Sequence, residues 1–146
     1  MNEKYMKIAL KQANIALKND DVPVGAIIVQ NETIISQAYN EKEKKNNAIK
    51  HAEIIAIEKA CNKLKTWHLE DCTIYITLEP CLMCIGAIIQ SRISKIVYAT
   101  ENSKSGFLKF IVDIDKLENS CLKIEKGICK NEAERLLKQF FKSKRK

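Results

Sequence analysis

Residues 73–78 read Thr-Ile-Tyr-Ile-Thr-Leu and stop abruptly at Glu79-Pro80. β-branched and aromatic residues fit a pleated, half-buried surface, so this run predicts a strand. Proline has a fixed φ and no backbone N–H, which ends the strand there. Cys81 to Gln90 then reads as a short buried helix. Upstream, Ala52 to Leu64 carries Ile54, Ile55, Ile57 and Ala60 at helical spacing, predicting a helix with those residues facing inward. Ser94 to Ala99 predicts a further strand. Helices alternating with strands leave few solutions, chiefly a sheet covered by helices on both faces. In such folds ligands bind beyond the carboxyl ends of the strands. The helix after Leu78 starts at that edge.

The rest of the chain fits the same plan. Asn2 to Asn19 spaces Met6, Ala9, Leu10, Ala13 and Leu17 as an amphipathic helix. Val24 to Gln30, a turn at Asn31-Glu32 and Thr33 to Tyr39 predict an antiparallel hairpin. The polar stretches 40–50 and 100–106 read as loops, and 107–119 fits neither helix nor strand cleanly. Cys121 to Glu125 predicts a last strand, and Asn131 to Phe141 a last helix capped by Asn131. The expected fold is α/β, with a mixed sheet of about five strands. At 146 residues a single domain spanning 1–146 is expected.

Composition removes several classes. With 46% hydrophobic and 29% charged residues, four Gly and two Pro, the chain is neither fibrous nor disordered. It has no apolar run long enough to cross a membrane and no signal-peptide pattern after Met1, so a cytoplasmic protein is expected. The net charge of +7 suits a polyanion such as nucleic acid, or a solvated lysine-rich surface. Of the six cysteines, only Cys81 and Cys84 are close, as Cys-x-x-Cys. A reducing compartment argues against disulfides. Cys61, Cys72, Cys121 and Cys129 are expected to act as small buried hydrophobes.

Two segments at predicted helix starts carry chemistry: His51-Ala52-Glu53 and Pro80-Cys81-Leu82-Met83-Cys84. Residues 54–79 supply a helix, a loop and a returning strand, which bring the two helix starts together. One imidazole and two thiolates can hold zinc and leave a fourth position for water, the pattern of a catalytic site. Helix N-termini favour the ionised thiolates the metal needs. Zinc acidifies its water toward neutrality. Glu53, two residues past His51, can stay off the metal and take the water proton. Each part has a plainer reading. A lone Cys-x-x-Cys can be a redox pair or half of a structural zinc knuckle, and His-x-Glu arises by chance. A redox pair would leave His51 and Glu53 unexplained. Cys121 and Cys129 are too widely spaced to complete a four-cysteine site.

Taken together the motifs resemble the tRNA-specific adenosine deaminase family over nearly the whole chain. The segments that carry the resemblance are Val22-Pro23-Val24-Gly25-Ala26, Asn40, His51-Ala52-Glu53-Ile54 and Thr77 to Cys84. It continues through Gly86-Ala87-Ile88, Ser91-Arg92-Ile93 and Lys104-Ser105-Gly106. The resemblance implies a cytidine-deaminase-like three-layer α/β/α sandwich and a homodimer. It implies hydrolysis of adenosine to inosine at the wobble position of a tRNA anticodon stem-loop. His51, Cys81 and Cys84 would hold one zinc ion per subunit, Glu53 would shuttle protons and Asn40 would contact the base. Read without the resemblance, Asn40 is a turn residue ending a strand. The same scaffold also fits a deaminase of a free nucleobase or nucleoside, such as guanine or cytosine, or a non-catalytic RNA-binding subunit. The last would be expected to lack Glu53.

Three places depart from the family pattern. Asn47-Ala48-Ile49-Lys50 replaces Asp-Pro-Thr-Ala before the histidine, putting a positive charge beside a ligand where a phosphate could meet it. Asn102 stands where an aspartate is usual, either altering how a ribose 2′-hydroxyl is treated or making a neutral swap. Phe107-Leu108-Lys109-Phe110 replaces small residues at the expected tRNA-contacting surface and dimer edge. The tail Phe140 to Lys146 fits RNA contact, or a core phenylalanine followed by a frayed basic end.

Overall fold

The computed structural model describes residues 2–110 and 122–144. Helix α1 (Asn2–Lys18) leads to strands β1 (Gly25–Gln30) and β2 (Thr33–Tyr39). Helix α2 (Ala52–Leu64), strand β3 (Cys72–Leu78), helix α3 (Leu82–Gln90) and strand β4 (Lys95–Thr100) follow. A 3₁₀ turn (Phe107–Lys109), strand β5 (Lys123–Lys126) and helix α4 (Lys130–Lys144) complete the described elements. The strands form one sheet in the order β2-β1-β3-β4-β5. β1 runs antiparallel to β2 and β3, while β3, β4 and β5 are parallel. The crossover between β3 and β4 is α3, as parallel neighbours require.

Alternation along the strands sorts the core into two faces. Ala26, Ile28, Ile74, Ile76, Ile96 and Tyr98 pack against α2, α3 and Phe107. Ile27, Val29, Tyr75, Val97 and Ala99 pack against α1 and, through Ala133, α4. The expected three layers are therefore present, with a mixed sheet of five strands.

Three details differ from the sequence reading. On α1 the buried face is Tyr5, Met6, Ala9, Ala13 and Ala16, while Leu10 and Leu17 are only half-buried. A Cβ on Gly25 would stand 2.0 Å from the Ala9 carbonyl oxygen and 2.6 Å from Ala13 N. At this one position the helix lies so close to β1 that no side chain fits between them. On α2, Ala52, Glu53, Ile55, Ala56 and Ala60 face inward. This phase brings Glu53 into the interior and leaves Ile54 half-exposed, contrary to expectation. Helix α4 begins at Lys130, so Asn131 lies inside it and not at its cap. The turn is made one residue earlier by Cys129, at φ +59°, whose carbonyl accepts the Ala133 N–H at 3.2 Å. The last strand covers Lys123–Lys126, and Cys121 lies outside the described residues. The same holds for 111–119 of the ambiguous stretch and for Arg145 and Lys146.

Among the described residues the five cysteines are all free thiols. Cys72 is buried, and Cys61 and Cys129 are half-buried against the two core faces. No described helix is long and apolar enough to cross a membrane.

Candidate active site

His51 and Cys81 occupy the N-cap positions of α2 and α3. Both have extended backbones, and neither side chain caps its own helix. The extended conformation turns each side chain away from the helix axis. Strand β3 places these two helix starts side by side. The Cys81 and Cys84 sulfurs lie 3.7 and 3.5 Å from His51 Nδ1. One donor atom from each residue falls within 4.8 Å of the other two. A tetrahedral zinc ion with bonds of roughly 2.3 Å to sulfur and 2.0–2.1 Å to nitrogen sets its N and S ligands about 3.6 Å apart. The donor set and its spacing therefore fit a metal ion of that kind.

Because the N-cap side chain of α2 is occupied otherwise, its cap comes from elsewhere. Asn40 Oδ1 accepts the Ala52 N–H at 2.8 Å. Asn40 is thus more than a residue ending β2: it is nearly buried and ties the hairpin to the ligand helix. Its amide NH₂ belongs to a residue that lines the adjoining cleft.

Glu53 is 4% exposed and stands against the same cluster. Burial pushes its carboxyl up to about 7, opposed by its backbone hydrogen bonding and by the His51 charge. Cys81 is drawn down to about 4, first by the Cys84 thiol donating to it and also by His51. Cys84 is correspondingly raised, by that donated hydrogen bond and then by burial. The Cys81 bond holds the His51 imidazole above its ordinary value. A buried carboxyl with its proton affinity raised toward neutrality thus stands beside three groups able to hold a metal ion, an arrangement suited to proton transfer.

The cluster opens into a cleft of about 1000 Å³ at the carboxyl end of β3. Asn40, His51, Glu53 and Cys81 form its floor, the loop from Glu101 to Ser105 one wall, and α4 another. Lys42, Lys104, Lys138, Lys142 and Lys144 line the cleft together with Glu101 and Glu134, and Lys144 pairs with Asp20 at 2.7 Å. Phe141 is 44% exposed on the α4 wall, with Lys104 Nζ 5.6 Å from its ring centre. Phe140, in contrast, is core.

The departures from the family pattern have distinct settings. Lys50 is half-buried and pairs with Glu58 of α2 at 3.4 Å, so its charge already has a partner. Asn102 Oδ1 accepts the Lys104 and Ser105 N–H groups at 3.2 and 3.1 Å, a turn an aspartate could make equally well. Phe107 is fully buried and anchors the loop in the core, while Phe110 is 53% exposed.

Sequence reasoning missed two buried carboxylates, of which Glu79 lines the cleft. Asp21, which reads in sequence as a helix end, is 1% exposed and accepts the Glu43 N–H at 2.9 Å. Glu79, which reads as part of a strand break, is 4% exposed and accepts two backbone N–H groups. A carboxylate between an apolar strand and a proline was the signal that could have found it.

Comparison with known proteins covers the whole of this arrangement. The family of MafB19-like deaminases matches residues 1–145. The tRNA-specific adenosine deaminase of Buchnera aphidicola subsp. Schizaphis graminum is 45% identical over 144 residues, covering 97% of this chain and 94% of that protein. A solved structure from a study of A-to-I editing by tRNA:A34 deaminases at the wobble position is 31% identical. Its TM-score is 0.84, over 92% of this chain and 99% of that one. The guanine deaminase from Nitrosomonas europaea superposes with a TM-score of 0.83 over 94% of this chain and 83% of that one. At 23% identity, that last likeness speaks to the fold alone. With the family match spanning residues 1–145 and a relative 45% identical over 97% of the chain, the chain belongs to the MafB19-like deaminases and, within them, to the tRNA-specific adenosine deaminase family.

Proposed function

We propose that this protein converts adenosine to inosine by hydrolysis, acting on the wobble position of a tRNA anticodon. His51, Cys81 and Cys84 would hold one zinc ion per chain. When bound, zinc supplies a water acidified toward neutrality. Glu53 moves the protons. Its carboxylate takes one proton from the attacking water and delivers it to the ring nitrogen beside the amine-bearing carbon. It then carries the second water proton to the departing amine, which leaves as ammonia. Asn40 orients the base through its amide NH₂ while its carbonyl oxygen holds the start of α2.

The observation that carries this reading is the buried Glu53 carboxyl beside a three-donor cluster in an open cleft. A structural metal knuckle has no use for a buried carboxyl at its side. Lys104, Lys138 and Lys142 beside the exposed Phe141 favour a nucleic acid over a free base, since phosphates meet lysines and bases stack on aromatic faces. Named relatives that act on tRNA support the same choice. A tRNA substrate goes with a cytoplasmic enzyme. Leu82 and Met83, adjacent and exposed in the first turn of α3, offer apolar surface to a second subunit, consistent with a homodimer as the working form.

The test is incubation of the zinc-loaded protein with an anticodon stem-loop bearing adenosine at the wobble position, read by sequencing. Inosine at that position is expected. Turnover of free guanine or cytosine with unchanged RNA would overturn the reading.

A further inference from the structure

Glu79 sits two residues before Cys81, yet its side chain bonds neither Cys81 nor His51. Its carboxylate instead grips the opposite wall of the cleft. Oε1 accepts the Asn102 N–H at 3.1 Å, and Oε2 accepts the Leu108 N–H at 2.9 Å. One side chain thereby closes both ends of the 102–108 turn. The backbone adds to the link: Glu79 N donates to the Thr100 carbonyl at 2.8 Å, and Phe107 N to the Pro80 carbonyl at 2.9 Å. Cys81 and Gly106 form an isolated antiparallel bridge. Gly106 lies directly on the carboxylate, where a Cβ would stand 2.4–2.5 Å from its atoms.

The chemistry of this grip is specific. Two convergent N–H donors need two acceptors on one side chain, at a reach that aspartate lacks by one methylene. Glutamine offers only one acceptor and would aim an NH₂ group at the other donor. An ionised carboxylate with charge-assisted bonds answers both, and offsets the cost of its own burial. The turn it holds carries Asn102, Ser103, Lys104 and Ser105 on the rim of the cleft.

We propose that Glu79 is a positioning residue for the substrate: it fixes the 102–108 rim against the ligand-bearing segment and so sets the shape of the entrance that the RNA strand must cross. The inference rests on the tRNA reading above. Glu79 acts through the rim, not on the reacting atoms. Its loss therefore raises KM for a stem-loop far more than it lowers kcat.

The experiment compares wild type, Glu79→Gln, Glu79→Ala, Gly106→Ala and the double variant Glu79→Ala/Gly106→Ala as zinc-loaded proteins. For Glu79→Gln, KM for the anticodon stem-loop is expected to rise about tenfold, the scale of a lost hydrogen bond to a charged group, with kcat within about twofold and zinc content unchanged. Amide exchange is expected to quicken at Asn102 and Leu108 and not along β3. Gly106→Ala displaces the carboxylate and gives the same phenotype. In the Glu79→Ala background, where the methyl has room, Gly106→Ala adds nothing further. Unchanged KM together with unchanged exchange at the two amides overturns the proposal. So does loss of zinc or of kcat as the main effect, which would place Glu79 with the metal segment. If Glu79→Gln does not fold, Gly106→Ala carries the same comparison. A wild-type protein inert on RNA would instead refute the tRNA reading, and the amide exchange would still decide whether Glu79 holds the rim.

Discussion

Cys84 Sγ lies 3.5 Å from His51 Nδ1, although 33 positions separate the two in sequence. Both belong to the first turn of a helix or its cap, and no covalent link holds them together. Cys84→Ser removes one donor of three. The purified variant is expected to contain well under half of the wild-type zinc by elemental analysis and to lose activity with it. Chelation of the wild-type enzyme should abolish activity, and zinc should restore it.

Glu53→Ala separates proton transfer from metal binding. Zinc content and stem-loop affinity should stay near wild type, while single-turnover inosine formation falls about a hundredfold or more, the usual contribution of a general acid–base. A variant with wild-type turnover would remove Glu53 from the mechanism.

Asn40→Asp keeps an acceptor for the Ala52 N–H and replaces the amide donor with a second acceptor. Thermal stability should therefore hold, while KM rises because the base no longer meets a donor. Asn40→Ala should cost about 1 kcal/mol of stability as well, since it also removes the cap of α2. Equal activity for Asn40→Asp and wild type would confine Asn40 to the cap.

The basic wall makes a salt-dependent prediction. Lys138→Ala/Lys142→Ala should weaken stem-loop binding more at low salt than at high salt. It should also flatten the plot of log affinity against log salt by about 0.7 for each single-strand phosphate left without its lysine. Melting temperature and zinc content should not move. A parallel plot would mean that these lysines face the cleft without meeting RNA.

Two core groups predict an alkaline limit. Burial pushes the Tyr98 hydroxyl up to about 12 and the Cys72 thiol up to about 11. The unfolded chain releases these protons nearer 10 and 9. Their contribution to stability is whole below pH 9 and drains away as pH rises through 11 and 12. The melting temperature should fall over that window, and less steeply in Tyr98→Phe or Cys72→Ala. Tyr98 Oη also has no hydrogen-bond partner among the described residues. Tyr98→Phe should therefore be neutral or stabilising by about 1 kcal/mol at pH 7, as measured by denaturant unfolding.

The candidate cluster was legible because the chemistry proposed for it needs particular side chains at helix starts, and helix starts are written locally. Proline after Glu79 and the helical spacing of 52–64 were enough to place His51 beside Cys81 and Cys84. What the sequence hid depends on tertiary approach. The inward turn of Glu53, which displaces Ile54, follows from how α2 lies on the sheet. The second task of Asn40 follows from the Ala52 N–H lying next to it. The partners of Glu79 come from a turn beyond the next strand, and nothing near residue 79 announces them. Asn131 obeyed the local capping rule, but a left-handed Cys129 had already started the helix.

The pairing of Ala26 with Ile76 lies at the centre of the sheet and joins stretches of chain that are remote in sequence. Until that pairing forms, the chain can offer an ion two sulfurs and little else. An ion held by all three donors acts as a staple across native topology, so its tight binding reports that the middle of the sheet has assembled. Filling such a site would raise the melting temperature in step with the free metal concentration, and chelation would lower it.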